Sequence, residues 1–131
     1  MIVVDTHVII WDALKPEALS PKARQALEKA NNSDGMIFCE ISLWEIAMLI
    51  DKQRVHVETD YLSFIQLVSA SNAYIFRGIT PEIADMSVKL SSRITGDPAD
   101  RIIAATALLE NCPLVTADQN LRNIKSIPTI W

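Results

Sequence analysis

The sequence predicts an α/β protein in which helices connect the strands of a parallel sheet. Short apolar runs alternate with longer helical patterns along the whole chain, as in proteins built from consecutive βαβ units. The helix starts are well marked, because Ser20 and Thr80 each stand before a proline, a pairing of capping hydroxyl and proline that is typical of a first helical turn. Asp97 precedes Pro98 in the same way.

These patterns assign most of the chain to strands and helices. The five predicted strands are residues 2–5, 36–40, 74–77, 114–116 and 128–130. The predicted helices are residues 20–30, 42–50, 60–71, 81–92 and 98–110, with one more turn at 119–123. A further helix is expected directly after Thr6 and His7. The helix at 42–50 is apolar nearly all round, so we expect it to be buried on several sides, by its own sheet and, as one option, by another subunit.

The composition is that of one compact domain covering residues 1–131. With 131 residues the chain is near the modal domain size, and a hydrophobic fraction of 50% argues against disorder. The longest apolar stretch, residues 46–50, is far shorter than the roughly 20 residues of a membrane span, and no signal segment precedes Asp5. We therefore expect a cytoplasmic protein without membrane contact, in which Cys39 and Cys112 are reduced core residues.

The net charge does not decide between the candidate partners. The chain has 12 basic and 16 acidic residues, and its formal charge of −4 discourages binding to nucleic acid, which is driven by basic surfaces. If four of the acids form one metal site, however, the remainder balance at 12 acids against 12 bases. A nucleic-acid partner is therefore still compatible with the composition.

Four carboxylates stand at boundaries between strands and helices, where a parallel sheet would bring them together. Asp5 and Asp118 follow predicted strands, while Glu45 and Asp100 lie at the beginnings of helices. Ligands of open parallel sheets bind beyond the carboxyl ends of the strands, so all four side chains could face one crevice. Two carboxylates about 4 Å apart repel by roughly 4 kcal/mol at an effective dielectric constant near 20. The cluster therefore points to a cation, and its oxygen-only donors suit Mg²⁺ or Mn²⁺ and not Zn²⁺.

Three of these acids also have structural interpretations that are equally good when each is taken alone. Ser42 and Glu45 match a capping box, in which the glutamate reaches back to the cap residue. Asp100 falls at the third helical position, where the helix dipole favours an acid, and Asp118 could cap the turn that follows it. Asp5 is the exception, because a carboxylate that ends a buried strand has no equally simple structural role.

Hydroxyl groups and one further acid accompany the four carboxylates. Thr6, Ser42 and Thr116 could orient the carboxylates or a metal-bound water. They could equally serve as a turn hydroxyl, a helix cap and a β-favouring strand residue. Asp97 is interpreted first as a helix cap and second as an auxiliary acid. His7 lacks the spacing of a metal ligand, so we expect it to have a packing or surface role.

Basic and aromatic residues could supply substrate contacts. The basic candidates for holding a nucleic-acid substrate are Lys52, Arg54, Arg93 and Arg101. Arg101 follows Asp100 directly and could pair with a site carboxylate or with a phosphate. Trp11 and Trp44 could stack on bases, although packing in the core or between subunits is the preferred interpretation of both.

The acidic motifs together resemble those of a known protein family. The matching segments are IVVDTH at residues 2–7, SLWEIA at 42–47, DPADRIIAATA at 97–107 and LVTAD at 114–118. In this order and context they are similar to the PIN-domain ribonucleases, and above all to their VapC-type toxins of type II toxin–antitoxin systems. The similarity continues to the final segment, IPTIW at 127–131.

The resemblance implies a fold, an activity and two protein partners. It implies a three-layer α/β/α fold with a five-stranded parallel sheet, Mg²⁺- or Mn²⁺-dependent endoribonuclease activity, a homodimer, and a cognate antitoxin that blocks the site. Carried over to this chain, the acidic quartet is Asp5, Glu45, Asp100 and Asp118. We expect Asp5 and Asp100 to be direct metal ligands, and the other two to act on a second metal or on the attacking water. Hydrolysis of RNA by a metal-activated water would leave a 5′-phosphate and a 3′-hydroxyl.

Other functions of α/β proteins with acids at strand ends compete with this interpretation. An aspartyl-phosphate phosphatase needs a second acid two residues after Asp5, where this chain has His7. Dinucleotide binding lacks any Gly-x-Gly-x-x-Gly. A binding module that holds RNA or protein without cutting, and a structure-specific DNA nuclease, remain open alternatives, because carboxylates and metal do not read the 2′-hydroxyl.

Overall fold

The computed structural model describes residues 1–92, 94 and 97–131, so the candidate Arg93 lies outside the described residues. The strands are β1 (Ile2–Val4), β2 (Met36–Cys39), β3 (Tyr74–Arg77), β4 (Leu114–Val115) and β5 (Thr129–Ile130). The helices are α1 (Thr6–Leu14), α2 (Pro21–Asn31), α3 (Ile41–Asp51), α4 (Tyr61–Ser71), α5 (Pro81–Lys89), α6 (Pro98–Glu110) and α7 (Gln119–Arg122). All five strands are parallel and form one sheet in the order β3-β2-β1-β4-β5. The predicted α/β fold with a five-stranded parallel sheet is confirmed.

Helices cover both faces of the sheet, which gives the three layers. Alternate residues of β1 point to opposite faces, because side chains of a strand alternate. Ile2 and Val4 pack with α1 to α4 in one hydrophobic cluster, and Val3 packs with α5 to α7 in the other. Both faces of the central strands are therefore buried, as their uninterrupted apolar sequences require.

The predicted capping residues are found at the helix starts. Ser20 Oγ accepts a hydrogen bond from the amide of Ala23 at 3.1 Å, and Thr80 Oγ1 accepts one from the amide of Ile83 at 3.1 Å. A proline occupies the first turn in each case. Both cysteines are free and buried, as the sequence predicted.

Two expectations about α3 need revision. The helix begins at Ile41, one residue earlier than expected, so Ser42 lies inside the helix and the capping box with Glu45 is wrong. One side of α3 is buried through Ile46 and Leu49, but Trp44 is 57% exposed. Core packing of Trp44 is therefore wrong, and its burial by another subunit stays a prediction.

The strand order creates a crevice at one place on the sheet. From β1 the chain moves outward through β2 to β3, and then returns across the sheet to β4 on the opposite side of β1. Connections leave β1 and β4 in opposite directions, so the carboxyl ends of these two neighbours are not covered by one continuous layer of loops. Asp5 directly follows β1, and Thr116 directly follows β4.

In the described part of the chain, no helix combines the length and the apolar character needed to cross a membrane.

Gly35 should not tolerate a side chain. Its φ is +87°, and a Cβ would lie 2.7 Å from the carbonyl oxygen of Ala73, which is held by the amide of Met36 at 2.9 Å. We expect Gly35→Ala to reduce the free energy of unfolding by about 2 kcal/mol or more, through backbone strain and this close contact. Urea or thermal unfolding measures the loss. The matched control is Gly78→Ala, whose Cβ would meet the mobile end of Glu40 at 3.4 Å and should change stability by less than about 0.5 kcal/mol. Equal effects of the two substitutions would contradict the argument.

Candidate active site

A cavity of about 280 Å³ opens beyond the carboxyl ends of β1 and β4. Its lining residues are Asp5, His7, Trp11, Glu45, Asp97, Asp100, Ala117 and Asp118. The structure thus brings together all four acids singled out in the sequence, and adds Asp97 as a fifth. Their chemical roles stay predictions.

Asp5 is held from two sides. Its Oδ1 accepts a hydrogen bond from the amide of Thr6 at 2.8 Å, and its Oδ2 accepts one from Thr116 Oγ1 at 2.6 Å. The first contact makes Asp5 the N-cap of α1. The expectation that Asp5 lacks a simple structural role is therefore wrong, because the strand ends one residue before it and the helix begins one residue after it. Burial raises the pKa of Asp5, although both hydrogen bonds act in the opposite direction.

Thr116 connects the ends of the two central strands. Its hydroxyl donates to Asp5 and accepts a hydrogen bond from the amide of Asp118 at 3.0 Å. Asp118 Oδ1 in turn accepts from the amide of Asn120 at 2.8 Å, so Asp118 caps α7 as its sequence position suggested. One buried hydroxyl thereby fixes the spacing between two site acids that are 113 positions apart in the chain.

Glu45 is held by a chain of two hydroxyl groups. Thr6 Oγ1 donates to Glu45 Oε1 at 2.5 Å and lies 2.7 Å from Ser42 Oγ. Thr6 has one hydroxyl proton and gives it to the glutamate, so Ser42 is the donor in the second contact. All three residues are buried. Thr6 lies on α1 and the other two on α3, so the hydrogen bonds fix the glutamate relative to Asp5.

Asp97 and Asp100 come from the start of α6. Asp97 Oδ1 accepts a hydrogen bond from the amide of Ala99 at 3.0 Å, which confirms the cap interpretation. Asp100 is the third residue of the helix and is half-buried. Arg101 is also half-buried but does not belong to the cavity lining, so its contact with RNA stays a prediction.

Burial and mutual repulsion keep part of this cluster protonated. Burial raises the pKa of Asp100 to about 7, and the negative charges of Asp5, Asp118 and Asp97 add to the shift. Burial likewise raises the pKa of Glu45 to about 8; the hydrogen bond from Thr6 opposes this shift, and the Asp97 and Asp100 carboxyls reinforce it. At neutral pH the site therefore retains protons where a divalent cation would supply positive charge instead.

The donor chemistry of the cavity fits a hard divalent cation. All five acidic side chains offer carboxylate oxygens, which suit Mg²⁺ and Mn²⁺. Among the described residues, however, no group of three or more His, Cys, Asp or Glu side chains is already arranged to hold a metal ion. The carboxylates would have to move toward a cation, as expected for a cluster whose members repel one another.

Three lining residues were not assigned to the acidic cluster from the sequence; one is Ala117, and the other two carry aromatic rings. His7 is exposed and Trp11 is half-buried, and both face the cavity from α1. The surface role expected for His7 agrees with its exposure but missed its location. The available signal was their position two and six residues after Asp5, which places both on the helix that the acid caps.

Without divalent cations, the free energy of unfolding should fall as the pH rises from about 5 to about 9. Glu45 and Asp100 ionise near their ordinary pKa values of 4.5 and 3.8 when the chain is unfolded, and near about 8 and about 7 when it is folded. Between these limits the folded state binds more protons than the unfolded state, so a rise in pH favours unfolding. Thermal melts in EDTA across this range measure the effect.

A matched pair of variants isolates the contribution of the site. Asp100→Asn removes one of the two groups and should flatten the pH dependence. Asp85→Asn changes an exposed acid that pairs with Lys89 at 2.9 Å, and should leave the dependence as it is. A wild-type melting temperature that stays constant or rises between about pH 5 and 8 would contradict the raised pKa values.

Comparisons with known proteins agree with the architecture and the motifs. The PIN domain profile matches residues 2–127. The chain is 38% identical over 122 residues to the ribonuclease VapC22 of Mycobacterium tuberculosis, covering 93% of this chain and 90% of that protein. A toxin–antitoxin complex from Klebsiella pneumoniae superposes with a TM-score of 0.66 at 22% identity, covering 97% of this chain and 95% of that one. VapBC2 from Rickettsia felis, bound to a promoter DNA fragment, superposes with a TM-score of 0.70 at 18% identity, covering 98% and 97%. This chain belongs to the PIN-domain family, within its VapC-type branch.

Proposed function

We propose that this protein is a Mg²⁺- or Mn²⁺-dependent endoribonuclease and the toxin of a toxin–antitoxin pair. The observation that carries the proposal is the convergence of five acids on one cavity at the carboxyl ends of β1 and β4. The raised pKa values of Glu45 and Asp100 support a cation as the missing partner. A relative that is 38% identical and named a ribonuclease supports RNA as the substrate class.

The carboxylates have different proposed roles in binding the cation. Asp5 and Asp100 are proposed as direct ligands of the cation, and Glu45 and Asp118 as ligands of a second cation or acceptors for the attacking water. A bound divalent cation neutralises charge on the phosphate and strengthens water as a nucleophile. Thr116 holds Asp5 and the backbone of Asp118, while Thr6 and Ser42 hold Glu45, so the hydroxyls keep the acids oriented before substrate arrives.

The proposed products are a 5′-phosphate and a 3′-hydroxyl. Attack by the 2′-hydroxyl would instead leave a cyclic phosphate, and such a route normally uses a pair of general acid and base groups such as His and Lys. Within the described cavity lining, His7 is present and lysine is not. The chemistry of the product ends therefore separates the two routes.

The proposed partners are a second copy of the chain and an antitoxin. Solved structures with the same fold are described as toxin–antitoxin complexes, which supports the antitoxin. This chain also exposes large apolar side chains on α3 and α4, with Trp44 at 57%, Leu62 at 77% and Leu67 at 61%, and such side chains favour protein contacts. The homodimer rests on the family resemblance and the cytoplasmic location on the sequence composition, and both stay predictions.

Replacing Asp5 or Asp100 by Asn should reduce RNA cleavage by at least about a hundredfold while the fold is retained, because each change removes a charged ligand of the cation. The assay is cleavage of a mixed structured RNA pool with Mg²⁺ or Mn²⁺ and with EDTA, with both product ends mapped. Asp85→Asn, on the exposed side of α5, is the matched control and should cut normally. Near-wild-type activity of either site variant would refute the assignment of that residue.

Thr116→Val should lower kcat by roughly 10- to 100-fold, because the site loses the hydroxyl that holds Asp5 and the Asp118 amide. Thr106→Val is the matched control, since Thr106 is equally buried but its hydroxyl bonds to the carbonyl of Ile102 within α6. Both variants lose one buried hydroxyl, so melting temperatures show whether their stabilities differ. Equal activities of the two variants would contradict a positioning role for Thr116.

The same assay distinguishes the alternatives. Single-stranded DNA of matching sequence tests for a DNA nuclease, because a cluster of carboxylates does not require a 2′-hydroxyl in its substrate. RNA binding by folded protein that also binds Mg²⁺ or Mn²⁺, but cuts neither nucleic acid, would favour a non-cleaving binding module.

A further inference from the structure

Three aromatic rings form a row that begins inside the acidic cavity. The ring centroids of His7 and Trp11 are 5.8 Å apart with their planes at 51°, and those of Trp11 and Trp131 are 5.8 Å apart with their planes at 50°. We call these three residues the aromatic row. Its first two members line the cavity with the acids.

The first two residues of the aromatic row lie on α1, the helix that Asp5 caps. His7 and Trp11 are separated by four residues on α1, so they occupy the same face of the helix, one turn apart. The helix starts at Thr6, directly after Asp5, and therefore the rings stand at a fixed distance along the helix from a site carboxylate. A substrate phosphate at the acids would place its neighbouring nucleotide beside these rings.

We propose that His7 and Trp11 form a stacking site for a nucleobase next to the scissile phosphate, with Trp131 as a positioning residue behind them. The inference rests on the proposed ribonuclease function and assigns it a base-binding subsite. Single-stranded RNA is commonly held by stacking of unpaired bases on aromatic side chains, and such stacking tolerates any base because each has a π-face.

The charges around the cavity make a base contact valuable. The described lining contains five acidic side chains and one histidine, and neither Lys nor Arg belongs to it. Phosphates are therefore repelled by the cavity until cations are present, whereas an uncharged base face is not. Stacking would hold the nucleotide close to the acids without adding positive charge that competes with the cation.

Packing alone does not account for the row. Trp11 and Trp131 both pack against the hydrophobic cluster under α1 to α4, which fixes them from below. His7 does not belong to that cluster and is exposed, yet it continues the row into the cavity. Trp131 directly follows β5, and its ring lies 5.8 Å from that of Trp11, so it is placed to support the Trp11 ring.

The test couples one side chain to one base. An RNA oligonucleotide with a single mapped cut is prepared as a series in which each position flanking the cut in turn lacks its base. Wild type, Trp11→Leu and Trp11→Phe are compared for kcat and KM on every member. The control is Val88→Ala, which shortens an apolar side chain that is 70% exposed on α5 and does not line the cavity.

The expected pattern is specific to stacking. Trp11→Leu should raise KM on intact RNA by roughly tenfold with kcat changed less than about threefold, Trp11→Phe should restore most of the loss, and Val88→Ala should match wild type. Removal of one base should raise KM for wild type by a similar factor and have no further effect on Trp11→Leu, because the two changes delete the same contact. If Trp11→Leu does not fold, His7→Ala replaces it, because His7 is exposed. In that variant, removal of the same base should no longer raise KM.

Other outcomes overturn the inference. If every base deletion affects wild type and Trp11→Leu equally, the ring does not stack on RNA, although cleavage itself still supports the nuclease. Equal losses for Trp11→Leu and Trp11→Phe, accompanied by lower melting temperatures, would assign Trp11 to the core. Weaker binding of a protein partner with unchanged RNA kinetics would assign the row to protein recognition. Failure of wild type to cut any RNA in Mg²⁺ or Mn²⁺ would refute the proposed function, and the subsite with it.

Discussion

Carboxylates that meet beyond the ends of β1 and β4 repel one another, and burial removes much of the water that would screen them. Two features of the surrounding structure reduce this repulsion. Buried hydroxyls of Thr6 and Thr116 donate to Glu45 and Asp5, and protons remain on Asp100 and Glu45 at pH values where exposed carboxyls would have lost them. Neither feature removes the repulsion, and this residual repulsion is the reason that a cation is proposed for the site.

Most of these acids are positioned by the N-termini of helices. Asp5, Asp97 and Asp118 each cap a helix through a side-chain oxygen, and Asp100 occupies the first turn of α6. Helix N-termini favour negative charge, so each acid is individually well placed, and only their convergence is costly. The carboxylates proposed for the chemistry therefore also have structural roles at helix starts. The aromatic row lies along α1, next to the acidic cluster, and offers a surface on which uncharged rings could stack.

Much of the architecture was predictable because it depends on local patterns. The predicted strands agree with β1 to β5 to within one residue at each end, since buried parallel strands are continuous apolar runs bounded by capping residues. The four acids were predictable because each follows or precedes such a boundary. The error at Ser42 has the same origin. The sequence Ser-x-x-Glu is the same whether the serine caps the helix or lies buried inside its first turn. The two cases are distinguished only by the tertiary structure, in which Ser42 contacts Thr6.

The sequence by itself determined the α/β class, the helix caps and the identity of the acids, because these follow from the period of apolar residues and from short-range hydrogen bonding. Only the tertiary structure decided that Thr116 joins Asp5 to Asp118, that Thr6 supports Glu45, and that His7 and Trp11 share the cavity with them. These relations link residues on elements far apart in the chain. The contacts of Thr116 depend on β4 pairing beside β1, which joins residues 111 positions apart in the chain and which no local signal specifies.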